Sequence, residues 1–419
     1  MLVLFVKLKK IRYLCNSKVK KNILIHYRKP KRLIMFRKLF VTILSLGFFC
    51  VLFAQNGRNS IVISFKQLTK VEDYARLPES SICPIADTIL AYQFPNGGWP
   101  LDQRWELSVL SEEEAKLRAS FRAAIKEGNA AGTTIASGAT TLEIFFLSKV
   151  YQKTGDIRYQ EAVVRGIEFL LNMQYQNGGW PLYCPPMAIG FDGEEIPYSG
   201  YITFNGDAMV DVMKLLRDVY ENKSPYLFLH LDESLRARSM AAFYKGVLCT
   251  LDCQVKKGDE LTVWAQQYHQ ETLQPMAARG FEVPALTGCG ETVSILTMLM
   301  DISEPSRRVL DAVTAGVHWL EKHAIRHKKV LHYVNRDGLR DVKVTASRDT
   351  TLVWNHYYDI ESGRPFFSDY DGIQRENISD ISYELRNSYV WISNTPDAVI
   401  KRYYKWIPEM RKRLREIYQ

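Results

Sequence analysis

Between Thr262 and Pro284 the chain crowds together side chains able to do chemistry: Trp264, Gln266, Gln267, Tyr268 and His269, followed by Arg279 and Glu282. An aromatic ring in such a run either stacks on the face of a sugar or packs in a core, and residue type alone leaves both open. Arg279 brings a planar five-donor fork that suits a carboxylate, whether a ligand's or that of Glu282 or Glu291. Asp207, in Asn205-Gly-Asp-Ala-Met209, stands where a helix begins, so it either holds a ligand or answers the helix dipole. Arg348, Asp349, Arg364 and Asp371 read as a second charged site or as surface ion pairs, the commoner case. Cys249 and Cys253 lie one helical turn apart, which fits two small core residues better than a metal pair. No carboxylate pair has a spacing that singles out glycoside hydrolysis.

These residues need a frame, and the frame repeats. Tyr92-Gln-Phe-Pro-Asn-Gly-Gly-Trp-Pro100 returns as Met173-Gln-Tyr-Gln-Asn-Gly-Gly-Trp-Pro181, with a fainter third copy from Cys253 to Trp264. Each copy follows a helix-like stretch; Ala162, Val163, Ile167, Leu170 and Leu171 make one stripe over 158–173. Asn-Gly-Gly then supplies positive φ to end the helix, and Trp-Pro starts an extended exit. Trp99 and Trp180, at equivalent points, read as structural. Further stripes run over 109–127, 138–153, 204–221, 232–252, 289–301, 306–324 and 396–417. Helix pairs that end in Gly-rich loops on one side predict a mainly α protein, an α/α toroid whose loops gather at one mouth. Residues 325–395 differ: Val342-Lys-Val-Thr345 and the Asp-, Gly- and aromatic-rich 346–373 predict short strands and functional loops.

Charge removes one class of function. Of the 55 Lys and Arg, 13 fall in residues 1–54, which hold no Asp or Glu, so 55–419 carry 42 basic against 46 acidic residues, a net of −4. A mildly acidic body predicts no nucleic-acid partner. Met35-Phe-Arg-Lys38, the apolar run Leu39–Phe53 and Ala54-Gln55 have the shape of an export signal, with the mature chain starting near Gln55. The alternative is an N-terminal membrane anchor, although the run is short for a span of ~20 residues. Residues 1–34 read as an upstream start. The expectation is a secreted or periplasmic protein with no membrane contact after cleavage. Five scattered cysteines beyond residue 54 do not make a disulfide framework.

Four strings in order carry a resemblance: Gln174-Tyr-Gln-Asn-Gly-Gly-Trp180, Tyr201-Ile-Thr-Phe-Asn-Gly-Asp-Ala-Met209, Leu261-Thr-Val-Trp-Ala-Gln-Gln267 and Gln274-Pro-Met-Ala-Ala-Arg-Gly-Phe-Glu282. Over roughly 82–392 the chain resembles polysaccharide lyase family 10, the pectate lyases. The resemblance implies an (α/α)₃ toroid with long Gly-rich loops and a few short strands at the mouth. Residues 1–54 are then extension and signal, 55–81 a linker, and 82–419 the lyase domain, a monomer. It also implies calcium-assisted β-elimination of polygalacturonate. That reaction takes the C5 proton beside a carboxylate and expels O4, so cations must offset the charge that develops. By resemblance Arg279 is the base, Asp207 a calcium ligand, and Trp264, Gln267, His269, Glu282, Arg348, His356 and Arg364 substrate-binding residues. An arginine serves as base only where surroundings lower its pKa.

The chain also departs from the family pattern. Ala136 and Ser137 stand where an Asp-Asn pair is usual, and Gly206 where Asn-Asp-Asp carries its middle acid. His356 and Tyr370 stand where arginines are usual. Two acids and two arginines are thus exchanged around one mouth, which predicts weak calcium binding. The alternative function is a catalytically altered or inactive uronide-binding protein of the same fold. A terpene-cyclase-like toroid would need an Asp-x-Asp-Asp or Asp-Asp-x-x-Asp string, and the chain has neither.

Overall fold

Helix ends in the computed structural model fall where local chemistry puts them. The structure describes residues 76–417, apart from 102–104, 106–109 and 192, together with Phe65, Thr69 and Lys70. The expected signal, the upstream extension and most of the 55–81 linker lie outside the described residues. Ten α-helices are described: α1 (Glu79–Ala91), α2 (Glu112–Lys126), α3 (Thr141–Thr154), α4 (Ile157–Asn172), α5 (Ala208–Tyr220), α6 (Glu233–Asp252), α7 (Glu291–Met300), α8 (Arg307–Lys322), α9 (Tyr383–Ser388) and α10 (Thr395–Ile417). Ser111 and Glu114 close a reciprocal capping box on α2. Asp156, Asp232 and Ser306 accept the first free N–H groups of α4, α6 and α8. Each such cap stabilises its helix by about 1 kcal/mol. The predicted start of α5 at 204 is four residues early, because Asn205-Gly206-Asp207 forms a 3₁₀ turn with Gly206 and Asp207 at positive φ.

The helices form three antiparallel pairs, α3 with α4, α5 with α6 and α7 with α8. Their first members pack as α3 on α5 and α5 on α7; their second members pack as α4 on α6 and α6 on α8. Two layers result, with α10 covering α7 and α8 and α1 against α3. The apolar stripes predicted from periodicity face between the layers: Ala162, Val163, Ile167 and Leu170 of α4 are buried, while Leu171 is half-buried at the edge.

The repeated loops explain how the pairs are held in register. Trp99 Nε1 donates to the Ile89 carbonyl at 2.8 Å, Trp180 to Leu170 at 2.8 Å, Trp264 to Thr250 at 2.7 Å and Trp354 to Leu320 at 2.7 Å. Each indole therefore closes the end of a helix, and all four are fully buried. Three glutamines tie each loop onward: Gln93 Nε2 donates to Ala162 of α4, Gln174 to Ala242 of α6 and Gln254 to Ala312 of α8, at 2.8–3.0 Å. Gly178 is obligatory in this joint, having φ +92° and a backbone so close that a Cβ would lie 2.1 Å from the Lys245 carbonyl oxygen.

Residues 325–395 form the expected strands and loops and, beyond that expectation, the short helix α9. Lys328–Val334 and Arg340–Ala346 pair antiparallel as an exposed hairpin. A four-stranded sheet runs in the order Gln374–Arg375, Pro365–Ser368, Tyr357–Tyr358, Leu286–Thr287. Beneath it Ala285, Tyr357, Phe366, Phe367 and Trp391 make a second apolar cluster apart from the helical core.

Candidate active site

Three turns precede α3, α5 and α7, at Ala136–Gly138, Asn205–Asp207 and Gly288–Gly290, and two of them hold a non-glycine residue in the left-handed region: Ser137 at φ +52° and Asp207 at φ +63°. Such backbone costs on the order of 1 kcal/mol each and persists where surrounding structure fixes it. At Asp207 what fixes it is the segment 262–284. Gln267–Tyr268 pairs antiparallel with Ile202–Thr203, and the Gln266 carbonyl accepts from both Phe204 N (2.8 Å) and Asn205 N (3.0 Å).

The junction leaves a small cleft of about 40 Å³. Ala136, Ser137, Thr203, Asn205 and Gly206 line it together with Gln267 and the Arg279–Glu282 pair. Leu182, Tyr198 and Ala278 complete it. Through Tyr198, Ala278 and Arg279 it opens into a broader groove of about 620 Å³, whose lining includes Phe121, Phe191, Met187, Glu194 and Glu195. The positions that depart from the family pattern at 136, 137 and 206 therefore meet Arg279 in one place.

Arg279 is half-exposed. Its Nη1 donates to Glu282 Oε1 at 2.7 Å, its backbone N–H to Glu282 Oε2 at 3.3 Å, and its guanidinium lies 5.6 Å from the centre of the Tyr198 ring. Half-burial pulls the guanidinium pKa down, but the Glu282 carboxylate and Tyr198 more than reverse this, so at rest Arg279 is held protonated. Glu282 is buried and also accepts from Asn205 Nδ2 at 2.7 Å. Its oxygens are occupied within the protein, so it orients Arg279 rather than meeting a ligand as expected. Gln267 is the opposite case. It lines the cleft at 2% exposure, and its Nε2 has no hydrogen-bond partner. A buried, unpaired donor costs about 1–3 kcal/mol, which a ligand oxygen would recover.

Other expectations are corrected by burial. Trp264 is wholly buried with its N–H spent on Thr250, the third copy of the helix-closing tryptophan, so it cannot present a face to a sugar. His356 is buried in a polar network under the cleft: its Nε2 lies 2.8 Å from Tyr389 Oη, 3.1 Å from Gln266 Nε2 and 3.5 Å from Glu291 Oε2. Burial lowers its pKa to about 3, so it stays neutral and cannot replace a substrate-binding arginine. His269 accepts through Nδ1 from the backbone of Glu271 and Thr272, capping its own turn outside the cleft lining. Arg348, after the exposed hairpin, and Arg364, in the turn 359–364, are exposed and do not line the cleft. Tyr370 is 60% exposed beside it, its backbone pressed against Gly280, where a Cβ would lie 2.3 Å from the Tyr370 carbonyl oxygen.

Asp207 lies on the turn that borders the cleft but does not line it. Burial raises Glu291 to about 7 and Asp211 to about 6, and the Asp207 charge adds to both. Calcium takes six to eight oxygens, usually several from carboxylates. The cleft offers one carboxylate, Glu282, already committed to Arg279 and Asn205. Among the described residues no three His, Cys, Asp or Glu side chains gather as a metal group. The donor set does not fit a protein-held calcium ion, which corrects that expectation and the assignment of Asp207 as its ligand.

Tyr198 and Leu182 are not singled out by the sequence, and Thr203 and Asn205 enter only as members of the Tyr201–Met209 string. They are neutral loop residues without periodicity, and only the spacing of the flanking repeats hints that their loops converge.

Comparison with known proteins places this geometry. Residues 93–400 match the family described as pectic acid lyase. The chain is similar to the solved family 10 polysaccharide lyase from Cellvibrio cellulosa, at 28% identity and a TM-score of 0.65 over 82% of this chain and 94% of that one. An aspartate-to-alanine mutant of that lyase, in complex with trigalacturonic acid, matches at the same identity and TM-score over 82% and 95%. Among curated protein sequences no relative matches.

Proposed function

Because the chain belongs to the pectic acid lyase family, and is therefore a polysaccharide lyase, we propose that it cleaves the galacturonate backbone of pectin by β-elimination in the cleft at Arg279. The observation that carries this reading is that Arg279 lines one cleft with Ser137, Asn205 and Gly206, reached from an open groove. Trigalacturonic acid in the similar lyase supports an acidic chain of this kind as the ligand.

In the reaction the C5–H bond breaks and its electron pair becomes the C4–C5 double bond, while O4 leaves with its own pair. Arg279 stands at C5 as the base. Substrate entry displaces part of its contact with Glu282, and partial burial then favours the neutral guanidine that must accept the proton. Gln267 Nε2 donates to a substrate oxygen, and Asn205 holds Glu282 in place. No step is drawn through calcium, since the residues do not supply its ligands.

The same reading takes the two layers of three helices as an (α/α)₃ toroid acting as a monomer. It also takes residues 1–54 as removed on export, so that the protein works outside the cytoplasm. N-terminal sequencing of exported protein should find a start near Gln55; a retained Met1 or Met35 sinks that part.

The decisive assay is the ultraviolet absorbance of unsaturated uronide, with Arg279→Lys as the control. Wild-type product formation lost in the folded variant supports the assignment; comparable turnover by both removes Arg279 as the base. A wild type that binds trigalacturonate but releases no unsaturated product would select the binding-protein alternative.

A further inference from the structure

Elimination beside an ionised carboxylate builds a second negative charge next to the first, so a site for such a substrate must supply positive charge. This cleft supplies little. Among the described residues that line it and the groove beyond, Arg279 is the only cation, and Glu282 already neutralises it at 2.7 Å. The remaining charges there, Glu194 and Glu195, are negative. The rest of the lining is neutral or apolar, with Ala136, Gly206 and Ala278 in the cleft and Phe121, Met187 and Phe191 in the groove. Among the described lining residues a polyanion would meet the Glu195 carboxylate and apolar walls, with a single paired cation at the end.

The unpaired group in the cleft points the same way. Gln267 offers a neutral amide donor at 2% exposure, without a partner. A neutral donor satisfies an uncharged carbonyl oxygen fully, but leaves most of a carboxylate's charge unanswered.

Resting on the lyase reading above, we propose that the sugar unit cleaved in this site carries its carboxyl as a methyl ester, so that the enzyme acts on methyl-esterified polygalacturonate and needs no calcium. An ester group has no charge to oppose the developing enolate, and its carbonyl oxygen takes the growing charge toward Gln267 and Arg279. Its methyl group rests on the apolar walls. Atoms balance without a co-reactant. C5 loses a proton to Arg279, the C5–H pair forms the C4–C5 double bond, the C4–O4 bond breaks toward O4, and O4 regains a proton through solvent. The products are a shortened chain and an unsaturated uronate ester.

The test uses the full protein on one pectin preparation, highly esterified or saponified to polygalacturonate, each with calcium and with chelator. Ultraviolet absorbance should show kcat/KM higher on the esterified form by about tenfold or more, as expected for one uncompensated charge, and unchanged by chelator. Equal or faster cleavage of polygalacturonate, or abolition by chelator, overturns the proposal. A binding arm separates this from failure of the lyase reading. Calorimetry compares trigalacturonate with its fully methylated ester on wild type and on Gln267→Leu. Tighter binding of the ester, weakened in Gln267→Leu, supports the ester site even if neither substrate is cleaved. Tighter binding of the triacid overturns it whether or not the protein is a lyase.

Discussion

The helical frame and the cleft are built by opposite means. In the frame one device recurs: a tryptophan closes a helix end at 2.7–2.8 Å four times, and a glutamine reaches the next helix three times. Around the cleft the turns recur but their side chains do not: Ser137 and Asp207 sit at positive φ on two bordering turns, Gln267 keeps an unpaired nitrogen, and Arg279 leans on one buried carboxylate. Among the described residues unpaired buried atoms occur in both, at Tyr92 Oη, Arg236 Nε and Gln254 Oε1 in the frame, but only that of Gln267 lines the cleft. Stability is thus concentrated where the chain repeats, and reactivity where it does not, so mutations should sort cleanly between melting temperature and turnover.

The strongest challenge to that division is Arg279→Lys. Loss of a positioned base should lower turnover by about 10²–10⁴-fold, while stability should move by no more than about 0.5 kcal/mol as for a surface change. A large fall in melting temperature would mean that the cleft also supports the frame. The reciprocal case is Trp264→Ala, expected to cost about 3–5 kcal/mol by emptying a fully buried site, read by denaturant unfolding. Any residual folded fraction should retain its substrate affinity; a selective loss of binding would return Trp264 to the site.

Smaller effects probe the border between the two regions. Glu291 is buried with its pKa raised to about 7, so the folded state holds its proton more tightly than the unfolded chain does. Its contribution is favourable below the ordinary glutamate pKa, declines as pH rises from there toward 7, and is gone above. Glu291→Gln should therefore raise stability at pH 8 by on the order of 1–3 kcal/mol and leave it little changed at pH 4. Equal effects at both pH values would show that hydrogen bonding to Gln266, not charge, dominates. The subtlest test is Glu282→Gln. Removing the carboxylate takes away the largest influence that raises the Arg279 pKa, so the rise of turnover with pH should move to lower pH. An unmoved profile would make Arg279 an electrostatic partner rather than the base.

How much of this was legible in the sequence follows the same division. Trp99 and Trp180 keep Asn-Gly-Gly before them, so the repeat announces itself. At Trp264 the lead-in is faint, at Trp354 it is gone, and the spacing has grown from 81 to 84 to 90 residues, so the fourth copy shows only as an indole closing a helix. Trp264 reads as a substrate residue by resemblance, and its hydrogen bond to Thr250 returns it to the repeat. His356 misled for a related reason: its type suits a ligand, but its burial depends on Tyr389 and Gln266, 33 and 90 residues away. The convergence of residues 136, 137, 206 and 279 was legible only through motif order, since no periodicity links loops that meet at the ends of different helices.

The glutamine ties all run forward along the chain, spanning 69, 68 and 58 residues. A chain emerging N-terminus first therefore leaves each loop open until the following pair of helices has arrived. Assembly is latched from behind, and each hairpin is proofread by its successor before the site can close. A chain ending before Arg307 would leave the Gln254 latch unmade, and protease cutting should then begin in that loop and spread backward toward Gln174.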